Sequence, residues 1–259
     1  MSPLKALILG LVQGLTEFLP ISSSGHLVIF NYLLGVESES IAFEVAVHLG
    51  TLLAVIIYFR EDLLQVIVDF FRGGDGRRVG WMLIAASVPT GIIGLTFQKP
   101  LEALFNSPRS VGIGLLITAV VLLFAEKYRQ GNRSLGKVRL QDALLIGTLQ
   151  GMAIIPGISR SGSTISAGLF AGLGRDAAAR FSFLLAIPAI LAAGALHAKD
   201  FVALPQEMLL PSLIGVATSA ISGYLAIGIL MAVLRKGKLY GFSAYTAVVG
   251  LLILIFLPA

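Results

Sequence analysis

Gln13 and Glu17 stand four residues apart and are followed closely by Ser22-Ser23-Ser24-Gly25-His26. Far along the chain, Ser159-Arg160-Ser161-Gly162 is followed by Thr164. Residues at i and i+4 share a helix face, so Gln13 and Glu17 point the same way. Glu17 and His26 are proton carriers, and the serines are hydroxyl nucleophiles or donors. Arg160 brings a guanidinium that can fork onto two phosphate oxygens. A helix that starts after either Ser/Gly stretch turns unpaired N–H groups and a positive dipole end toward an anion. Gly25 and Gly162 let the backbone approach a phosphate, and Ser22, Ser24, Ser159, Ser161 and Thr164 add hydroxyls. These types suit the handling of a phosphorylated anion. The bland alternative is N-capping plus a buried ion pair, which explains one such stretch better than two.

The two stretches are copies of one another. At an offset of 137, Gly10 to Gly14 (GLVQG) matches Gly147 to Gly151 (GTLQG), and Ile21 to Gly25 (ISSSG) matches Ile158 to Gly162 (ISRSG). Gly-x-x-x-Gly on its own is a device for close helix packing, and the paired glycines are read that way. That device does not account for the polar residues beside them. Within the repeat, Ile154 replaces Glu17 and Arg160 replaces Ser23, so the copies have diverged into an acidic and a basic partner. A carboxylate in an apolar helix is expensive unless paired. Brought tip to tip, Glu17, His26 and Arg160 would offset one another's burial cost.

Composition says where these residues must sit. Apolar residues make up 56% of the chain, charged residues 13%, and mean hydropathy is +0.91. A soluble chain carries roughly 25% charged residues, so this is an integral membrane protein. Open sheet edges cannot be satisfied in lipid, and the apolar runs are too long and too unalternating for barrel strands. The fold expected is all-α. Six runs are long enough to cross a bilayer: about 41–59, 81–98, 110–126, 181–198, 211–234 and 241–258. Residues 4–34 and 141–173 are also apolar but are interrupted at the Ser/Gly stretches. Each interruption leaves a second arm of about ten residues, roughly 15 Å as helix, too short to span. They are expected to be re-entrant helix–loop–helix pairs.

Three spans follow each broken region. Three is odd, so the second copy enters from the opposite side, giving an inverted-topology repeat in one membrane domain: repeat 1 about 1–126, repeat 2 about 138–259. Loop charges agree. With 60–80 inside, the inner loops hold 14 of the 19 basic residues, and only Lys5, Lys99, Arg109 and Lys199 fall outside, with Arg160 set apart in a break. The positive-inside rule then puts both termini and the 98–109 loop outside. The first residues carry one basic side chain and no small-x-small cleavage signal, so they read as mature structure.

Other candidates read more plainly. Glu44 and His48 share a face and either line the cavity or bind an ion, or His48 is simply a hydrogen-bonded core residue. Arg139 and Asp142 read as loop and cap. Arg235, Lys236 and Lys238 read as a topology signal in contact with anionic lipid. Pro89 and Pro188 fall inside spans, as kinks would. The basic residues form no continuous stripe, which excludes nucleic acid, and the absence of cysteine excludes thiol chemistry.

At the two breaks the sequence resembles the undecaprenyl-pyrophosphate phosphatase family of the bacitracin-resistance type. The family's (Glu/Gln)-x-x-x-Glu signature matches Gln13 to Glu17, running on through Phe18 to Leu27. Its Pro-Gly-x-Ser-Arg-Ser-x-x-Thr signature matches Pro156 to Thr164. The resemblance implies removal of the terminal phosphate from a C55 polyprenyl pyrophosphate in the bacterial inner membrane, which returns the lipid carrier to cell-wall synthesis. It also implies a site open to the outer leaflet, a divalent cation (Mg2+ or Ca2+), and a homodimer. Under it, Arg160, Ser159, Ser161 and Thr164 would hold pyrophosphate oxygens. Glu17 and Gln13 would hold the cation or polarise a nucleophile, Ser23 or a water would attack, and His26 would move the proton. The rival reading is a transporter or flippase of a phosphorylated polyprenyl lipid, since inverted repeats with broken helices are a transport architecture.

Overall fold

In the computed structural model the chain is a helical bundle; residues 1–36, 41–105, 107–128, 131–202, 204–236 and 238–257 are described. Arg129, one of the inner-side charges, lies outside them, as does Asn106 in the expected outer loop. No strand occurs among the described residues. The first half comprises α1 (Pro3–Phe18), α2 (Ser23–Leu34), α3 (Ile41–Tyr58), α4 (Arg60–Arg72), α5 (Asp75–Phe105) and α6 (Pro108–Lys127). After a 3-10 turn at Leu135–Lys137 come α7 (Leu140–Met152), α8 (Arg160–Phe170), α9 (Arg175–Leu196), α10 (Ala198–Val202), α11 (Gln206–Lys236) and α12 (Tyr240–Phe256).

Five helices are long and apolar enough to cross a membrane, namely α3, α5, α6, α9 and α11, and α12 is a shorter apolar helix. These are the six expected crossings. The arms α2 and α8 have 12 and 11 residues, about 18 Å and 16 Å of helix, short of the hydrocarbon thickness.

Two loops differ from expectation. Residues 60–72 form α4, whose apolar residues Leu64, Ile67, Val68 and Phe71 recur at helical spacing and lie exposed. Its Arg and Asp content masks that period in a composition reading. α5 runs on to Phe105 and takes up most of the segment expected as the 98–109 loop.

Close packing fixes the broken arms. Gly10 and Gly14 let α1 lie against α11: a Cβ at Gly10 would strike Thr218 Oγ1 and one at Gly14 would strike Ser222 Oγ. Gly147 and Gly151 do the same for α7 on α5, where a Cβ would meet the Ala86 carbonyl and the Ile93 side chain. The packing is thus exchanged, each half seating its first arm on the long helix of the other. α6 lies along α12. Below the breaks, the fully buried Phe18, Phe59 and Phe183 form an aromatic cluster, with Phe18 edge-on to Phe183 at 5.5 Å between centroids. Such pairs add ~1 kcal/mol beyond their burial. This one ties the end of α1 to α9.

Candidate active site

Each break is built as a turn that re-starts a helix. α1 ends at Phe18, Leu19 is extended, and the Ile21 N–H donates to the Leu19 carbonyl at 2.7 Å. Ser22 then takes φ 69°, the one positive φ at a non-glycine residue among the described residues. That region is sterically costly for serine, and such strain is held where the surroundings over-determine it. Ser22 caps α2 by accepting from the Gly25 N–H at 3.3 Å. In the second break Gly157 takes φ 86°, and Ser159 caps α8 by accepting from the Gly162 N–H at 3.0 Å. Thr118 on α6 staples this turn, donating to the Gly157 carbonyl and accepting from the Ser159 N–H.

The breaks touch reciprocally. Ser24 Oγ accepts from the Gly157 N–H at 3.4 Å, and Ser161 Oγ donates to the Leu19 carbonyl at 3.0 Å. Gly25 faces Gly157, and Gly162 faces Pro20. Within each break the flanking hydroxyls also pair, Ser22 with Ser24 and Ser159 with Ser161, both at 3.2 Å.

Glu17 lies where the two meet. Its Oε1 accepts from Arg160 Nη2 at 2.8 Å, while Oε2 accepts from Ser23 Oγ at 2.6 Å and from Gln13 Nε2 at 3.0 Å. Glu17 is only 7% exposed. Unpaired, a carboxylate there would cost several kcal/mol, so this charge is tolerable because the second break supplies its counter-ion. Arg160 is held in turn by the Ser182 carbonyl at 3.3 Å. Thr164 Oγ1 lies 2.6 Å from Ser182 Oγ, one turn behind Arg160.

The structure therefore brings Gln13, Glu17, Ser23 and Arg160 into one cluster, framed by Ser22, Ser24, Gly25, Ser159, Ser161 and Gly162. Thr164 stands beside Arg160 but is bonded to Ser182 and its own helix. His26 is buried one turn past Ser23, and its ring partners are the Ser22 carbonyl and the Tyr245 hydroxyl, so it does not bridge to Arg160. His48 belongs to the cluster as well: its Nε2 is 3.8 Å from Glu17 Oε2, and its Nδ1 is 2.8 Å from the Glu44 carbonyl. A carbonyl only accepts, so Nδ1 carries a proton and Nε2 bears one only when the ring is charged. The i, i+4 spacing of Glu44 and His48 was the one sequence signal for this residue. Ser182, Thr118 and Tyr245 carry no motif.

Among the described residues no three His, Asp or Glu side chains cluster as metal ligands. What the site offers a hard cation is one carboxylate and two neutral oxygens. Gln13 is fully buried and its Oε1 has no hydrogen-bond partner, while its Nε2 bonds Glu17 Oε2, which Ser23 Oγ also bonds. That set is too small for an all-protein cage. It fits an ion that takes its other ligands from water and phosphate oxygens, as Mg2+ commonly does.

The model of one protein family, described as bacitracin resistance protein BacA, matches residues 6–252. The chain is 47% identical over 253 residues to an undecaprenyl-diphosphatase of Halothermothrix orenii, covering 97% of this chain and 96% of that one. It is 44% identical over 259 residues to an undecaprenyl-diphosphatase of Carboxydothermus hydrogenoformans, with 98% and 97% covered. A relative of the same name from Korarchaeum cryptofilum is 45% identical over 262 residues, with 96% and 97% covered.

Proposed function

Because this chain belongs to the bacitracin resistance protein BacA family, we propose that it is an undecaprenyl-diphosphatase whose single active site is the meeting point of its two broken helices. It hydrolyses the phosphoric anhydride of undecaprenyl pyrophosphate and releases undecaprenyl phosphate and inorganic phosphate. The observation that carries the assignment is the Glu17–Arg160 pair, 2.8 Å apart, with the Ser23 hydroxyl 2.6 Å from the same carboxylate. A proton acceptor, a hydroxyl nucleophile and a phosphate-binding cation thus share one buried point.

Ser23 Oγ attacks the terminal phosphorus as its proton passes to Glu17 Oε2, and the P–O bond to the lipid phosphate breaks. Glu17 hands that proton to the departing lipid phosphate, then takes one from the water that displaces phosphate from the serine and returns it to Ser23 Oγ. Arg160 shifts from Glu17 onto the pyrophosphate oxygens, where its fork neutralises the charge that builds on the leaving group. The first turns of α2 and α8 add backbone N–H donors from both sides. A divalent cation, held by Glu17, Gln13 Oε1 and Ser23 Oγ and completed by the substrate, would neutralise pyrophosphate charge when bound. The basic loops support an inner-membrane orientation with 60–80 and 127–140 on the cytoplasmic side and the site reached from the outer leaflet. The halves are read as inverted repeats, supported by the exchanged seating of α1 on α11 and α7 on α5. The protein is read as a homodimer on the family resemblance alone.

The exchanged packing also favours the second reading, translocation of a phosphorylated polyprenyl lipid. Phosphate release from undecaprenyl pyrophosphate by the purified chain in detergent separates the two, since a carrier alone releases none. Ser23→Ala then assigns the nucleophile. A loss of about a hundredfold or more fits serine attack, and a loss of a fewfold assigns the attack to water.

A further inference from the structure

His26 lies on α2 one turn past Ser23, yet its ring is turned to the last helix of the chain. Nδ1 is 2.8 Å from the Ser22 carbonyl and Nε2 is 2.7 Å from the Tyr245 hydroxyl. The carbonyl can only accept, so Nδ1 carries the proton; a neutral ring then has its lone pair on Nε2, and Tyr245 donates to it. The rings are nearly parallel, 6° apart in plane with centroids 5.7 Å apart. His26 is buried, whereas Tyr245 is 44% exposed and borders a cavity of about 370 Å³ lined by Ile21, Val233, Lys238, Gly241 and Phe242. A tyrosine with open space beside it has other ways to satisfy its hydroxyl. Here the hydroxyl is turned inward onto the imidazole.

The bonds form a chain that ends at the reacting group. Tyr245 holds His26, His26 Nδ1–H donates to the Ser22 carbonyl, and Ser22 carries the strained φ of 69° directly before Ser23. Ser23 in turn points its hydroxyl at Glu17. A backbone held in a costly conformation relaxes when its braces are removed. Among the described residues no α12 side chain hydrogen-bonds the second break, which rests on α6 through Thr118 and Gly114, where a Cβ would strike the Pro156 carbonyl.

We infer that Tyr245 is a positioning residue: by fixing the tautomer and orientation of His26, it braces the Ser22 turn that presents Ser23 to Glu17. The inference rests on the diphosphatase reading of the same site. Its test is Tyr245→Phe, which keeps the ring and removes only the donor. Two readouts are taken on the full chain: phosphate release from undecaprenyl pyrophosphate, and the imidazole nitrogen resonances of 15N-histidine-labelled protein. The chain has three histidines, and His26→Ala identifies the signal. The variant should lower kcat about tenfold, the scale of one hydrogen bond, leave KM within about twofold, and shift the His26 Nε2 resonance. A wild-type kcat in the variant, or an unmoved Nε2 resonance, overturns the inference. If the wild-type chain releases no phosphate, the diphosphatase reading fails instead, and the resonance alone decides whether Tyr245 holds His26.

Discussion

The two breaks share one scaffold and differ in what they hang on it. Each has a serine cap on a glycine N–H, a second serine 3.2 Å from the first, and a bond from that second serine to the opposite break. The backbone problem is the same in both: a helix must stop and restart inside a membrane protein, and its loose N–H and C=O groups must find partners there. The chemistry is divided between them. Break one holds Glu17, Ser23 and His26, while break two holds Arg160 and has Ile154 in place of the carboxylate. A symmetric pair of acids or of arginines would leave like charges buried together. Divergence gives one neutral, polarised cluster instead, and neither half is complete without the other.

Their supports also differ. Break two is pressed onto α6 backbone to backbone, whereas break one meets α12 through a side chain and leaves a cavity beside it. In the proposed mechanism the stapled break carries the group that binds the anion, and the braced one carries the groups that react.

Substitutions that erase the difference should be the most damaging. Arg160→Ser gives break two the residue of break one, and phosphate release should fall about a thousandfold, the scale of losing a dominant charge contact in the transition state. Arg160→Lys should also be poor, because an ammonium cannot reproduce the fork; near-normal turnover in the lysine variant would remove bidentate phosphate binding from the account. The twin glutamines sharpen the comparison at a smaller scale. Gln13 and Gln150 are both buried, and each has an unpartnered Oε1, but only Gln13 touches Glu17. Gln13→Ala should cost about tenfold in activity, the scale of one hydrogen bond to a charged group, and Gln150→Ala close to nothing; equal losses would mean that both act only through packing.

The smallest effect belongs to the frame of the second half. Asp142, at the foot of α7, accepts from Arg133 at 2.6 Å and from the Arg139 N–H at 2.9 Å. Burial pushes its carboxyl up, but the bonds from Arg133 and Arg139 outweigh this and hold it below the usual carboxylate range. A depressed folded-state value stabilises the fold above the ordinary pKa of about 3.9 and loses that contribution as pH falls through the folded value. Asp142→Asn should therefore cost about 1 kcal/mol in thermal unfolding at neutral pH. The gap from wild type should close below about pH 4, with turnover little changed.

Much of this arrangement was legible in the residues. A buried carboxylate demands a counter-ion, and the repeat pointed to Arg160, which stands where the first copy has Ser23. The crossings were legible from run length. What escaped was whatever depends on long-range placement. Tyr245 sits 219 residues from His26 in an ordinary apolar helix, and no local pattern marks it. For His48 the i, i+4 spacing with Glu44 left cavity lining, ion binding and a core hydrogen bond open; the ring bonds the Glu44 carbonyl and turns its other nitrogen to Glu17. α4 was hidden because its charges outweigh its apolar period. His26 was placed opposite Arg160 on charge grounds, whereas hydrogen bonding to a carbonyl and a tyrosine satisfies the ring elsewhere.

The claim that two breaks make one site is tested most directly by a double-mutant cycle on phosphate release from undecaprenyl pyrophosphate, using Glu17→Ala, Arg160→Ala and both together. Each single variant should lose about a hundredfold or more, and the double variant should be little worse than the poorer single, because residues that act as a unit do not add. Losses that multiply in the double variant would mean that Glu17 and Arg160 work independently, and would contradict the shared site.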